Sequence, residues 1–263
     1  MATVKSKAGK AGGSGTRKSA RETAKAQVAA VQRRARLTQI LVIGVVAVVV
    51  IGIIGSAVII SVVTQNSRRP VAAADAMVTI AGGKQVPIGV DGDAIRLGPA
   101  DAKATVDLYV DYACPHCKDY DAATAETYEQ LLGEGGLAVK FHLLKFQSAP
   151  YGAAAGNASA AVVANQPQDW LAFHSALFVN QTEQTSTWQN GDFRAFAEQQ
   201  GVTNPEALKA IDEGKYASWI TSNTNDAVKA QVSKTPTVLM NGEPKDLVTG
   251  QQLIDQVHDL LRS

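Results

Sequence analysis

Apolar residues fall along this chain in three rhythms, and each predicts a different element. From Ile40 to Val63 the run ILVIGVVAVVVIGIIGSAVIISVV holds 24 residues without a charge. At a rise of about 1.5 Å per residue, a helix of that length crosses a hydrocarbon core of about 30 Å with some tilt. A core helix rarely runs so far without a polar face, so the segment reads as a single transmembrane helix. A cleaved secretory signal is the competing reading, because an Ala-rich run follows at 71–76. The apolar part of such signals is usually shorter, about 7–15 residues.

The second rhythm has period two. ATVDLYV (Ala104–Val110) alternates and is rich in β formers, and LAVKFHLLKF (137–146) puts Leu137, Val139, Phe141 and Leu143 on one face. Both predict strands. The third rhythm is helical. Tyr120, Thr124, Tyr128 and Leu131 share a face, and Gly133 offers a stop. A long stretch of helical character follows, with a stripe of Trp170, Phe173, Leu177 and Phe178 and further segments at 193–200, 205–211 and 216–232. Strand character returns only at Thr237–Met240, where Asn241-Gly242 predicts a hairpin turn and a short return strand. Thr249, with Gln252 three residues on, predicts the cap of a last helix, whose apolar face is Leu253, Ile254, Val257, Leu260 and Leu261.

The order is β–α–β, a helical insertion, then β–β–α. Strands joined through a helix pair in parallel within a buried sheet, so the fold class is α/β. Domain boundaries follow: a basic N-terminal segment (1–39), the apolar segment (40–63), a tether (64–76) and a globular domain (77–263) with its insertion near 147–231.

Charge changes the picture at the N-terminus. The whole chain is nearly neutral, but residues 1–39 carry ten Lys/Arg against one Glu, leaving 15 basic and 23 acidic side chains for the rest. Lys25, Arg33, Arg34 and Arg36 crowd one flank of the apolar segment, and only Arg68 and Arg69 follow closely on the other. The excess of positive charge predicts a cytoplasmic N-terminus and an extracytoplasmic domain at the cell membrane. The basic leader is either a ligand for anionic lipid or a solvated tail with a topogenic role. It has no interleaved aromatic residues, which argues against nucleic acid as a partner.

The candidate chemistry lies in DYACPHCKDY (111–120). Cys114 and Cys117 are the only cysteines of the chain. A structural disulfide across three residues closes a tiny loop and adds little chain-entropy stabilisation. A zinc site wants four ligands, and no second pair stands at zinc spacing beside His116, His142, His174 and His258, so no metal is expected. The redox reading fits the position better. A strand leads into a helix whose first turn carries both thiols, and free N–H groups and the helix dipole favour a thiolate there. Cys114 is then the exposed nucleophile and Cys117, one turn on, its buried resolving partner. Pro115 sits where its missing N–H costs nothing. His116, protonated or donating a hydrogen bond, adds to the stabilisation of the Cys114 anion, which makes the disulfide more oxidising. Asp107 and Asp111 read as acids at a solvated strand end. His174 reads as a core or rim histidine and His142 as peripheral.

With CPHC after the first core strand, TPTVLMNG far downstream and a helical segment between them, the region 77–263 resembles the DsbA-like thiol:disulfide oxidoreductases of the thioredoxin superfamily, specifically their membrane-anchored bacterial members. The resemblance implies a thioredoxin-like core. It makes Pro236 a cis-proline beside the cysteine pair, and Thr235 the residue that presents its backbone to an extended substrate strand. It further implies exported proteins with cysteine pairs as substrates, a membrane reoxidase of the DsbB or VKOR type, and no bound cofactor. Where thioredoxin carries a buried acid, six residues before its first cysteine, this chain has Leu108. Thr235 leaves the direction of catalysis open between oxidase and isomerase or reductase. An anchored binding module without catalysis is the alternative of a different class.

Overall fold

The computed structural model describes residues 76–262, so the basic segment, the apolar segment and all but the last residue of the tether lie outside the described residues. Among the described residues no helix is long and apolar enough to cross a membrane.

Among the described residues seven strands form one sheet: β1 (Ala76–Thr79), β2 (Gln85–Asp91), β3 (Ala94–Leu97), β4 (Ala104–Val110), β5 (Leu137–Leu143), β6 (Thr237–Met240) and β7 (Glu243–Lys245). Their spatial order is β1-β2-β3-β5-β4-β6-β7. The central pair β4 and β5 is parallel, with Val106 opposite Val139 and Leu108 opposite Phe141, and every other pairing is antiparallel. The parallel pair requires a crossover, and α1 (Pro115–Glu134) supplies it. Five further helices follow before the last one: α2 (Pro150–Asn165), α3 (Trp170–Val179), α4 (Asn190–Gln199), α5 (Pro205–Asp212) and α6 (Ala217–Lys229). The chain then returns through β6 and β7 to α7 (Gly250–Arg262).

The expected β–α–β and β–β–α units and the helical insertion are present. Three strands that the periodicity did not announce precede them. β2 carries Val86, Ile88 and Val90 in alternation, but Pro87 and Gly89 stand between them and weaken the strand signal. Gly92, with φ +66°, takes the first position of the two-residue turn into β3, a conformation that costs glycine nothing. The Asn241-Gly242 turn has positive φ at both positions (+46° and +83°), the combination that matches strand twist in a two-residue hairpin.

Alternation along β4 and β5 divides the sheet into two unlike faces. Val106, Leu108, Val139 and Phe141 point into a core shared with Tyr128 and Leu131 of α1. α7 packs beside α1 and buries Leu253 and Val257, and His258 on it meets Glu134 at 2.7 Å. The other face carries Asp107, Tyr109, Lys140 and His142, and α6 covers part of it through Ala227. Trp170, Phe173, Phe178, Phe193 and the alanines of α2 extend the same core into the insertion. Asn157 ties it together, donating to the Ile211 carbonyl at 3.0 Å and accepting from the Tyr216 N–H at 2.8 Å.

Candidate active site

Cys114 is the N-cap residue of α1 and Pro115 its first helical residue. Upstream, Asp111 shapes the approach. One of its carboxylate oxygens accepts from the Ala113 N–H at 2.8 Å, and the other accepts from the Gln147 N–H at 2.8 Å. Its backbone carbonyl takes the Cys114 N–H at 2.9 Å. Asp111 is thus a buried bracket joining the ends of β4 and β5, not the solvated acid expected. Burial pushes its carboxyl above the ordinary value, and the N–H groups of Gln147 and Ala113 oppose that rise. The Cys114 carbonyl accepts from the Cys117 and Lys118 N–H groups at 3.0 and 3.2 Å, closing the first turn.

The second half of the site arrives from residues 121 positions away. The Cys114 thiol donates to the Thr235 carbonyl at 3.4 Å. The Thr235–Pro236 bond is cis. Pro236 lines an open groove with Lys234, Val238, Lys245 and Leu247, whose side chain stands nearly half exposed.

Both thiols are free and both are buried, Cys114 at 2% exposure and Cys117 at 1%. The expected contrast of an exposed and a buried cysteine is therefore absent in accessible area. The Thr235 carbonyl covers Cys114, and a strap covers the loop before it. Gln181, just beyond α3, donates from Nε2 to the Ala113 carbonyl at 2.8 Å. Lys118 holds that strap by donating to the carbonyls of Gln181 (2.7 Å) and Val179 (3.2 Å). The exposed members of the motif are Pro115 and His116. The cysteines still differ in environment. Burial pushes the Cys117 thiol far above its ordinary value, and the neighbouring Cys114 adds to the effect.

Two histidines sit differently from their sequence reading or with more structure around them. His142, expected at the periphery, is buried at 6% and held between Asp107 (2.9 Å from Nε2) and Asp93 (3.2 Å from Nδ1), with Tyr109 stacked on its ring. Lys140 and Asp107 give its face of the sheet a polar look, but α6 and the β2–β3 turn close over that face. Burial pulls its pKa down, yet the hydrogen bonds to Asp107 and Asp93 outweigh this and leave it raised. His174 is a core residue at 1% exposure, as its apolar stripe suggested. Its Nδ1 lies 2.5 Å from the Tyr112 hydroxyl, and Asp121 Oδ1 lies 3.4 Å from Nε2. Tyr112, the Gln181 strap, the Asp111 bracket and the polar partners of His174 escaped sequence reasoning, because the groups that meet there lie far apart in the chain. Among the described residues no cluster could hold a metal ion.

A family model described as thioredoxin matches residues 91–259, nearly the whole of this domain. The chain belongs to the thioredoxin family. Among curated proteins it is similar to the disulfide bond formation protein D of Bacillus subtilis, at 28% identity over 148 residues. That match covers 55% of this chain and 66% of the relative, so the chain spans just under two thirds of the relative's length. Among solved structures it is similar to the thiol-disulfide oxidoreductase MdbA of Actinomyces oris, with a TM-score of 0.55 at 26% identity, covering 64% of this chain and 85% of that one. Reduced DsbA of Mycobacterium tuberculosis matches in fold, with a TM-score of 0.57 at 23% identity over 65% of this chain and 94% of that one. This thioredoxin-family protein is thus DsbA-like: the family's sheet and cysteine helix carry a helical insertion, as in the MdbA and DsbA structures it resembles.

Proposed function

We propose that the protein is a membrane-anchored thiol:disulfide oxidoreductase that introduces disulfides into exported proteins. One observation carries the reading. Cys114 and Cys117 open a helix, and the Cys114 thiol donates to the Thr235 carbonyl across the fold. A client thiolate attacks Cys114 Sγ of the oxidised pair, the Cys114–Cys117 bond breaks, and Cys117 leaves with the electron pair. The client's second thiolate then attacks its own sulfur in the mixed disulfide and expels Cys114. Two electrons pass from the client dithiol to the enzyme pair. Thr235 lends backbone to the client strand, Pro236 borders the groove that receives it, and Pro115 and exposed His116 form the face it meets.

Since the chain has no further cysteine, reoxidation falls to a second protein, a quinone-coupled membrane partner of the DsbB or VKOR type. The apolar segment 40–63 tethers the domain to the extracytoplasmic side. In cells, Cys117→Ala should accumulate mixed disulfides with exported proteins, while Cys114→Ala should not. Equal trapping by both variants overturns the assignment of roles. Alkylation with a mass tag should find the wild-type pair mostly oxidised; a resting dithiol would make the protein an isomerase or reductase. Protease added to intact spheroplasts should digest the domain, and full protection would reverse the orientation.

A further inference from the structure

The Cys117 thiol is buried against apolar neighbours, so the anion created when the disulfide opens is unfavourable unless a proton reaches it. A cavity of about 30 Å³ lies beside it, bounded by α1, α3 and the sheet, and Cys117, Asp121, Tyr128 and His174 all contribute to its wall. That is room for a water. The same wall includes Leu108, so β4 offers no ionisable group there. His174 does. Its imidazole is packed between Phe141, Trp170 and Phe178, with ring centroids 4.7, 4.8 and 5.2 Å away.

Its hydrogen bonding is directional. The Trp170 Nε1–H donates to Ser159 Oγ at 2.8 Å, and the Tyr112 hydroxyl donates to the same oxygen at 3.0 Å. The Tyr112 oxygen is then free to accept from His174 Nδ1–H. This chain fixes the ring and leaves Nε2 as its proton-exchanging atom. Nε2 has no hydrogen-bond partner in a fully buried position, and Asp121 Oδ1, 3.4 Å off, is within ion-pair reach without being aligned for a bond. Asp121 keeps 17% exposure, which gives the pair a route to solvent. The titratable groups around the ring are Tyr112 on the Nδ1 side, Asp121 beside Nε2, and Cys117, Tyr120, Tyr128 and Glu129 around the cavity.

We propose that His174 handles the proton of Cys117: through a water in the shared cavity, Nε2 delivers a proton to the Cys117 sulfur when the disulfide opens and removes it when the disulfide closes. On opening, the client thiolate bonds to Cys114 Sγ, the Cys114–Cys117 bond breaks, and the Cys117 thiolate takes the proton from the imidazolium. The imidazole regains a proton from solvent past Asp121. On closing, the imidazole takes the Cys117 proton, and the thiolate attacks Cys114 Sγ in the mixed disulfide and expels the partner sulfur. The inference rests on the exchange reaction proposed above and names a residue of the insertion as part of it.

The test uses purified full-length protein, reduced and then mixed with oxidised glutathione. Closure of the Cys114–glutathione mixed disulfide is followed by acid quench and mass spectrometry between pH 5 and 9. In wild type the closure rate should level off above an inflection. His174→Gln should be slower at pH 7 by about 100-fold, the scale of general acid–base catalysis. Its rate should climb steadily with pH, without the plateau. Near-UV circular dichroism checks the fold, and Asp121→Asn, which keeps the imidazole, should move the inflection to lower pH. Profiles of His174→Gln, or of Asp121→Asn if the former does not fold, that overlay wild type overturn the inference. A wild-type protein that closes normally alongside such profiles leaves the exchange function standing, whereas one that forms no Cys114–Cys117 disulfide overturns both.

Discussion

Phe141 and His142 are neighbours in β5, yet they face two differently built sides of the same sheet. On the Phe141 side stands His174, with one ring nitrogen on Tyr112 and the other without a hydrogen bond, beside a cavity that reaches Cys117. On the other side His142 has both nitrogens on carboxylates, within a charged surface that also holds Arg96, Asp91 and Lys140. Both histidines are buried, so burial alone does not assign their roles. A histidine with both ring nitrogens held by carboxylates has no free atom with which to exchange a proton. One with a spare nitrogen beside a reactive sulfur can exchange a proton.

The comparison predicts effects of different kinds on the two sides. The largest loss of stability belongs to Asp111, whose carboxylate satisfies two N–H groups on the cysteine side. Asp111→Ala should cost about 3 kcal/mol, since each buried donor left unpaired costs about 1–3 kcal/mol. It should also slow thiol exchange, because Cys114 hangs from the same turn. Denaturant melts and a refolding assay read the two effects. Gly152→Ala tests the same bracket from α2: an added Cβ would meet Asp111 Oδ1, and overpacking of this kind costs about 1–3 kcal/mol.

The charged side should respond to pH. The folded-state pKa of His142 lies above that of the unfolded chain. Its contribution is therefore fully present below about pH 6.5 and fades as pH rises through the folded value. His142→Gln should cost about 1.5–3 kcal/mol at pH 5.5, the scale of hydrogen bonds to charged groups. The cost should shrink towards pH 9, and the rate of thiol exchange should stay unchanged throughout. A pH-independent cost, or a slower exchange, would erase the distinction between the two sides. The smallest effect is expected from Gln181→Ala, which releases the strap from the Ala113 carbonyl. It should change stability by about 1 kcal/mol or less while raising the alkylation rate of Cys114. An unchanged alkylation rate would show that the strap does not shield the cysteine loop.

The local features of this protein were legible in its sequence. Alternation in ATVDLYV, helical spacing from Tyr120 to Leu131 and the Asn-Gly turn each depend on neighbours a few residues apart, and each produced the element it predicts. The CPHC motif at a strand-to-helix junction placed both sulfurs in the first turn for the same reason. β1 to β3 were less legible, because two of them run only four residues and β2 carries a proline and a glycine, so they gain their stability from pairing across the sheet rather than from a strong pattern of their own. Only the tertiary structure decided what surrounds the chemistry. Cys114 met a carbonyl 121 residues away, and the loop before it was fastened to a strap beyond α3. His142 became buried between two carboxylates because α6 and the β2–β3 turn closed over a face whose strand residues look polar. His174 looked like one more member of an apolar stripe, and only docking of α3 against α1 brought it to the cavity beside Cys117. Periodicity encodes which side of an element faces inward; which atoms meet there depends on sheet order and helix docking, over distances that no local pattern reports.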